Sequence, residues 1–233
     1  MEKMSMKVKL FGYTQPDKDI DIEGLDDIQD LIVYCAKVSN PQFQSNFDTS
    51  ERLLTYLAEH SHWSPFEMVS ATLEIETTRD IARQMLRHRS FSFQEFSQRY
   101  KEVDALKEYY IIREARLQHP TNRQDSIELD MQDAEQSEIA GQWVTRQEQL
   151  IMYAKEQYDW ALSKGIAKEV ARAVLPEGNT VSRLYMQGSI RSWIHYIQLR
   201  SGNGTQKEHM EIAVEVAKAI HKIFPLVDKF ISN

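Results

Sequence analysis

The chain has 233 residues, 42% hydrophobic and 27% charged, which is ordinary for a folded protein with one large domain or two small ones. Aromatic residues make up 10% and glycine plus proline number only 14, which argues against disorder, and no apolar run approaches the roughly 20 residues of a membrane span. With 28 basic and 35 acidic residues the net charge is −7, which speaks against a general nucleic-acid binder.

Met1 to Leu10 carries lysines but no apolar export core. Lys7–Tyr13 alternates and predicts a short strand. Between Asp26 and Ser39 the apolar residues Ile28, Leu31, Ile32, Cys35 and Val38 follow helical spacing. Cys35 is the sole cysteine, so an internal disulfide and a cysteine metal cluster are excluded, and a reducing cytoplasm is the expected compartment. On its helix Cys35 reads as a buried, inert thiol. Asp48 to Ser50 is expected to cap a helix over Glu51 to His60, after which a tight segment to Glu67 is interrupted by Pro65. His60 and His62 beside Glu59 do not have a standard zinc spacing, so no metal is expected. Val69, Ala71, Leu73 and Ile75 alternate with polar residues, a half-buried strand, and Thr78 to His88 returns to helical spacing.

Residues 101 to 140 are weakly patterned, and Pro120 with the acidic stretch Asp125 to Glu138 predicts a loop or insertion. Gln147 to Leu175 reads as helix with a break at Gly165 and a stop at Pro176. Ser182 to Arg200 reads as a further helix, Gly202 to Gly204 as an interruption, and Glu208 to Phe224 as an amphipathic helix. The expected architecture is α+β: one mixed domain over 1–233 with a small antiparallel sheet, several long helices and an insertion-like stretch at 115–145.

One segment reverses the overall charge. From Arg79 to Lys101 there are six cationic residues (Arg79, Arg83, Arg87, Arg89, Arg99, Lys101) and two anionic ones (Asp80, Glu95), a local balance of +4. Such an island suits a bound phosphate, or else a solvated helix face whose arginines pair with Glu74, Glu76 or Glu95. Arg79, Arg83 and Arg87 lie four apart, as on one helical face. After His88, the short donors Ser90, Ser92 and Ser97 mix with Phe91, Phe93 and Phe96. Arginine forks, hydroxyls and aromatic walls together suit a flat heteroaromatic ligand carrying phosphate.

Arg87-His-Arg89, seven residues and then Ser97 resembles the signature of the flavin-dependent thymidylate synthases, R-H-R-x-x-S-x-N-x-x-S-x-R-Y in its longer form. Ser92, Arg99 and Tyr100 also fit, while Gln94 stands in place of Asn. His62-Trp-Ser-Pro-Phe-Glu67, Ala36-Lys-Val-Ser39, Ala171-Arg-Ala-Val-Leu-Pro176, Ser189-Ile-Arg-Ser192, Leu199-Arg200 and Gln206-Lys-Glu208 are similar to further family motifs in the family's order. The resemblance covers about residues 30 to 225 and is weakest at 115–145.

The resemblance implies conversion of dUMP to dTMP, with 5,10-methylenetetrahydrofolate as methylene donor and NADPH as reductant through FAD, and without a cysteine nucleophile. It implies FAD contacts from Ser64, Arg87, His88, Arg89, Glu95, Ser189, Ile190, Arg191 and His195. It implies dUMP contacts from Gln84, Arg87, Glu95, Ser97, Gln98, Arg99, Arg172 and Arg200, with Arg200 as the charge stabiliser at the pyrimidine edge. His195 stands where the family often has Asn, and Gly204 where it often has His. The role of Glu67 stays open between holding His62 and holding an arginine. The family also implies a homotetramer with sites shared between subunits, and no nucleic-acid or membrane partner. Two other readings compete: a nucleotide- or RNA-binding module built on Arg79 to Arg99, and a structural helical protein whose arginines only form ion pairs.

Overall fold

The computed structural model describes residues 6–99, 110–202 and 204–230. The centre is a four-stranded, fully antiparallel sheet in the order β1-β2-β6-β3, formed by β1 (Lys7–Tyr13), β2 (Ser70–Thr78), β3 (Ser92–Glu95) and β6 (Val181–Ser189). A separate hairpin pairs β4 (Arg116–Gln118) with β5 (Ser126–Glu128). The helices are α1 (Ile28–Ala36), α2 (Ser50–Glu59), α3 (Arg79–Met85), α4 (Ala134–Ser163), α5 (Lys168–Ala171), α6 (Ile190–Arg200) and α7 (Lys207–His221). The α+β expectation holds.

Alternation decides which face of the sheet is dry. Leu73 and Ile75 of β2 and Leu184 and Met186 of β6 are fully buried, while Glu74, Glu76, Arg183 and Tyr185 point the other way. On that outer face Glu74 lies opposite Tyr185 and accepts its hydroxyl at 2.7 Å, and Glu76 lies opposite Arg183 and pairs with it. The inner face meets Trp193 and Ile197 of α6 and Ile212, Val216 and Ile220 of α7 in one continuous core. Trp193 brings a polar N–H into that core and satisfies it by donating to the Ala71 carbonyl at 3.0 Å.

Two strands run straight into helices. β2 ends at Thr78 and α3 starts at Arg79; β6 ends at Ser189 and α6 starts at Ile190. Ser189 stops the strand by capping: its hydroxyl accepts from the Ser192 amide at 3.2 Å. Because β2 and β6 are antiparallel partners, the two helices leave opposite ends of the sheet.

Several expectations are corrected. Residues 182–189 are strand, the central partner of both β2 and β3, and only 190–200 is helix. Leu, Met, Gln and Arg are good helix formers, so local propensity misleads there, and pairing on both sides overrides it. Helix α4 begins at Ala134, thirteen residues before the expected start, with Asp133 accepting the Gln136 amide at 2.9 Å. Part of the acidic stretch read as loop is therefore a helix N-terminus, where negative charge is favourable. Within 110–128, Arg116–Gln118 pairs with Ser126–Glu128 as a short hairpin, and the residues around it are irregular, as expected. Helix α3 stops at Met85, so Arg79 and Arg83 share a helix with each other but not with Arg87. The N-cap of α2 is Thr49, inside the expected Asp48–Ser50 stretch, but among the described residues it makes no side-chain cap bond. Pro65 lies inside a 3-10 turn, Ser64–Glu67, near its start.

Candidate functional site

The residues singled out by sequence fall into three groups. The first forms where the segment after α3 meets the end of α6. His88 follows the last turn of α3, its amide bonded to the Met85 carbonyl at 2.9 Å. Arg200 ends α6, where a cation suits the helix dipole. Its Nε donates to Nε2 of His88 at 3.0 Å. The imidazole sits edge-on to Tyr196 at 5.0 Å and to Phe91 at 6.4 Å. Burial, with Arg200 and Arg87 nearby, lowers His88 to about 4, so the ring is neutral and can accept from an arginine. Arg87 and Arg89 are exposed beside it. Gln84, half-buried on α3, is joined by its amide to Gln206 at 2.7 Å and His209 at 3.2 Å.

The second group continues down the same segment. Glu95 is held by the Ser182 hydroxyl at 2.8 Å and flanked by Arg79 at 3.7 Å and Arg83 at 3.9 Å. Those two arginines also reach Glu177, so for Arg79 and Arg83 the ion-pair reading is the right one. Ser97 accepts the Arg99 amide at 3.3 Å, and Gln98 is buried. Arg99 reaches the Glu169 carboxylate at 3.1 Å, and Arg172 donates to the Glu169 carbonyl at 3.3 Å, so one residue of α5 gathers both arginines. Tyr100 lies outside the described residues. Among the described residues, no carboxylate comes within 4 Å of the guanidinium of Arg87, Arg172 or Arg200.

The third group joins the 64–67 turn to the start of α6. Arg191 donates to Glu67 at 2.7 Å, which settles what Glu67 holds. Burial alone would raise the Glu67 carboxyl, but hydrogen bonds from Ser189 and Arg191 hold it below the usual range. Trp63 meets His195 edge-on at 4.7 Å, and burial with Arg191 nearby lowers His195. Ser64 is exposed on the turn and Ile190 is fully buried in the core. The neighbouring Ser61 has φ of +59°, a left-handed conformation rare for a residue with a side chain. His60 is occupied structurally: its Nδ1 donates to the Tyr56 carbonyl at 2.8 Å and its ring stacks on Tyr56 at 4.0 Å.

Sequence reading named Glu208 within a motif but missed the contacts that lock these pieces. Glu208 is 6% exposed and is held by Arg113 at 3.0 Å and Arg116 at 2.7 Å. Burial pushes its carboxyl up, but the two guanidinium groups outweigh that and hold it at about 2. Arg113 also donates to Asp80 of α3 at 2.8 Å. No local pattern marks pairs this far apart in sequence. His209 was findable, since it falls on the same stripe of α7 as Ile212, Ala213 and Val216, where a polar ring is out of place. At position 204 the backbone has φ of +88°, so glycine fits and a side chain there would be strained.

A family model described as "Thymidylate synthase complementing protein" matches residues 22–226. A probable flavin-dependent thymidylate synthase of Paramecium bursaria Chlorella virus 1 is 46% identical over 224 residues, 96% of this chain and 98% of the relative. The chain belongs to the flavin-dependent thymidylate synthase family. The flavin-dependent thymidylate synthase of Synechocystis sp. is 47% identical over 223 residues, 95% of this chain and 97% of the relative. Among solved structures, the UMP/dUMP methylase PolB from Streptomyces cacaoi, bound with 5-Br UMP, superposes with a TM-score of 0.78 at 26% identity. That match covers 97% of this chain and 93% of PolB. A flavin cofactor follows from membership. No helix among the described residues is long and apolar enough to cross a membrane.

Proposed function

We propose that this protein is a thymidylate synthase that methylates dUMP at C5 to give dTMP, taking its methylene from 5,10-methylenetetrahydrofolate and its electrons from NADPH through FAD. The observation that carries the reading is the missing counter-ion of three arginines among the described residues. Arg87, Arg172 and Arg200 come from separate stretches, belong to family motifs, and are left without a carboxylate among the described residues. Cations in that condition are suited to an anionic ligand.

The residues also fit a flavin. Among the described residues Arg191 Nε is buried without a partner, although Nη1 of the same guanidinium is tied to Glu67. That orphan donor needs an acceptor such as a flavin carbonyl or pyrophosphate oxygen. Arg87, His88, Arg89, Ser64, Glu95, Ser189, Arg191 and His195 would hold FAD, whereas Ile190 is fully buried and its amide is taken by the Val69 carbonyl, so it packs beneath the site. When bound, FAD supplies the hydride that completes the methyl group.

The chain's own part is positioning and electrostatics. Arg87, Arg99 and Arg172, with the Ser97 hydroxyl, would anchor the phosphate end of dUMP. Gln84, Glu95 and Gln98 would fix its orientation. Arg200, aimed by His88, would stabilise negative charge developing on N3 and O4 and so make C5 more nucleophilic. No covalent enzyme bond is required. The Cys35 thiol is pushed up by burial and so is disfavoured as a thiolate nucleophile. Ser97 serves as a donor, because its oxygen faces a backbone amide rather than a base.

The assembly we propose is a homotetramer of single-domain subunits in the cytoplasm, with sites shared between subunits. Its support is one row on α4. Ile139, Trp143, Leu150, Tyr153 and Trp160 follow four-and-three spacing along this 30-residue helix, and all are exposed.

The test is direct. Purified protein should show oxidised-flavin absorption and release tritium from C5-labelled dUMP only when folate donor and NADPH are both present. Protein that stays colourless after incubation with FAD, or that releases no tritium, overturns the reading.

A further inference from the structure

Helix α7 carries a polar pair in its buried first turn, Glu208 and His209, with His209 wholly inaccessible. A buried imidazole is costly unless both nitrogens are paired, and here both are. Nε2 lies 2.9 Å from the Tyr196 hydroxyl and Nδ1 lies 3.2 Å from Gln84 Oε1. Gln84 Nε2 in turn donates to Gln206 Oε1 at 2.7 Å, and Gln206 Nε2 donates to Glu208 Oε2 at 2.9 Å.

The direction of every bond in this chain is set from one end. Glu208 is ionised between Arg113 and Arg116 and can only accept. Gln206 must therefore turn its NH2 toward Glu208 and its oxygen toward Gln84. Gln84 must then give its NH2 to Gln206 and its oxygen to His209. His209 must carry its proton on Nδ1, leaving Nε2 to accept from Tyr196 O–H. One carboxylate thus fixes two amide orientations and one tautomer.

We propose that His209 is a positioning residue that, with Glu208 at the far end of this relay, sets which face of the Gln84 amide is presented to the pyrimidine nucleotide. The inference rests on the dUMP reading above and deepens it. Gln84 keeps one N–H and one oxygen lone pair beyond the relay, so a fixed amide offers a defined donor and acceptor. A free amide would offer either pattern.

Two variants separate positioning from packing. The amide nitrogen of asparagine falls near the imidazole Nδ1 position, and that of glutamine near Nε2. His209→Asn therefore keeps the donor to Gln84 and loses the Tyr196 link, whereas His209→Gln does the reverse. dUMP binding is read by perturbation of the flavin spectrum, with KM, kcat and melting temperature measured in parallel. Wild type should bind dUMP, H209N should stay within about threefold of it, and H209Q should raise KM for dUMP roughly tenfold, the loss expected for one buried hydrogen bond. Flavin loading should be equal in all three. If wild type binds dUMP and the two variants have equal KM, or both lose flavin together, the positioning role is overturned while the function stands. If wild type binds no dUMP, both fail. Should either variant fail to fold, Gln206→Leu cuts the same relay at another point, and unchanged KM there overturns the proposal.

Discussion

The Arg200 guanidinium donates through Nε to the neutral Nε2 of His88 at 3.0 Å, joining the end of α6 to the segment after α3. A neutral partner aims the arginine without cancelling its charge, which a carboxylate would do. Arg200→Ala should leave flavin binding intact and lower turnover by about 100-fold, the size of losing one charge stabiliser. His88→Ala leaves the cation but frees it, so its loss should be smaller, about tenfold. Steady-state rates with equal flavin loading check the order. Unchanged turnover in R200A would remove Arg200 from the mechanism.

Glu67 and Arg191 form a half-exposed pair, so their attraction adds little to stability, within about 1 kcal/mol. Their worth lies in aiming Arg191. Glu67→Gln should therefore leave the melting temperature nearly unchanged and weaken flavin retention by roughly fivefold, in line with one loosened charge contact. Equilibrium dialysis against FAD measures it, and a variant that retains flavin as wild type does would leave Glu67 a surface residue only.

Gly188 of β6 faces the Phe91 ring so closely that a Cβ placed there would lie 2.5 Å from Cδ1. Phe91 is packed against Trp193, with ring centres 4.6 Å apart, and cannot give way freely. Gly188→Ala should cost about 1–3 kcal/mol in urea unfolding. Because Phe91 also borders His88, the same change should disturb the site. Adding Phe91→Leu should recover part of the stability, a non-additivity that a double-mutant cycle detects.

The sequence made some of this legible and hid the rest for identifiable reasons. β1 and β2 face solvent on one side and the core on the other, so alternation gave them away. α1 and α7 bury one stripe each, and their periodicity is plain. β6 is paired on both edges, and its residues prefer helices in isolation, so its state is decided by strands roughly 90 to 120 positions away. The motif residues around Arg87 and Arg200 were legible as chemistry, but that His88 bonds Arg200, or that Glu169 gathers Arg99 and Arg172, depends on how the chain returns on itself. The α4 start was missed because its acidic first turns resemble a loop in composition and a helix N-terminus only in context.

Acid should destabilise the protein earlier than its acidic composition alone suggests. An ordinary imidazole titrates near 6.5, whereas in the folded chain His88 is lowered to about 4 and His209 to about 3. Between those values the unfolded chain takes up protons that the folded chain refuses, so stability falls as pH drops below about 6.5. Glu208, held at about 2 against 4.5, continues the loss at lower pH in the same direction. The melting temperature should be flat from pH 8 to 7 and decline steadily from 6.5 toward 4. His209→Phe should start lower but decline less, because one of the refused protons is gone. Parallel slopes in the two proteins would mean that His209 carries no such linkage.

The exposed row on α4 makes an equally specific prediction. Leu150 lies at its middle, between Trp143 and Trp160, and is 52% exposed. A glutamate there would put a charge at the centre of any apolar seam and leave it desolvated and unpaired. On a free monomer surface the same change would cost almost nothing. Leu150→Glu should therefore leave the helix content of the chain unchanged and lower the mass measured by light scattering. Since the proposed sites are shared between subunits, turnover should fall with the assembly. A variant with unchanged mass would place the subunit interface elsewhere, and one that dissociates while keeping full activity would show that each subunit carries a complete site.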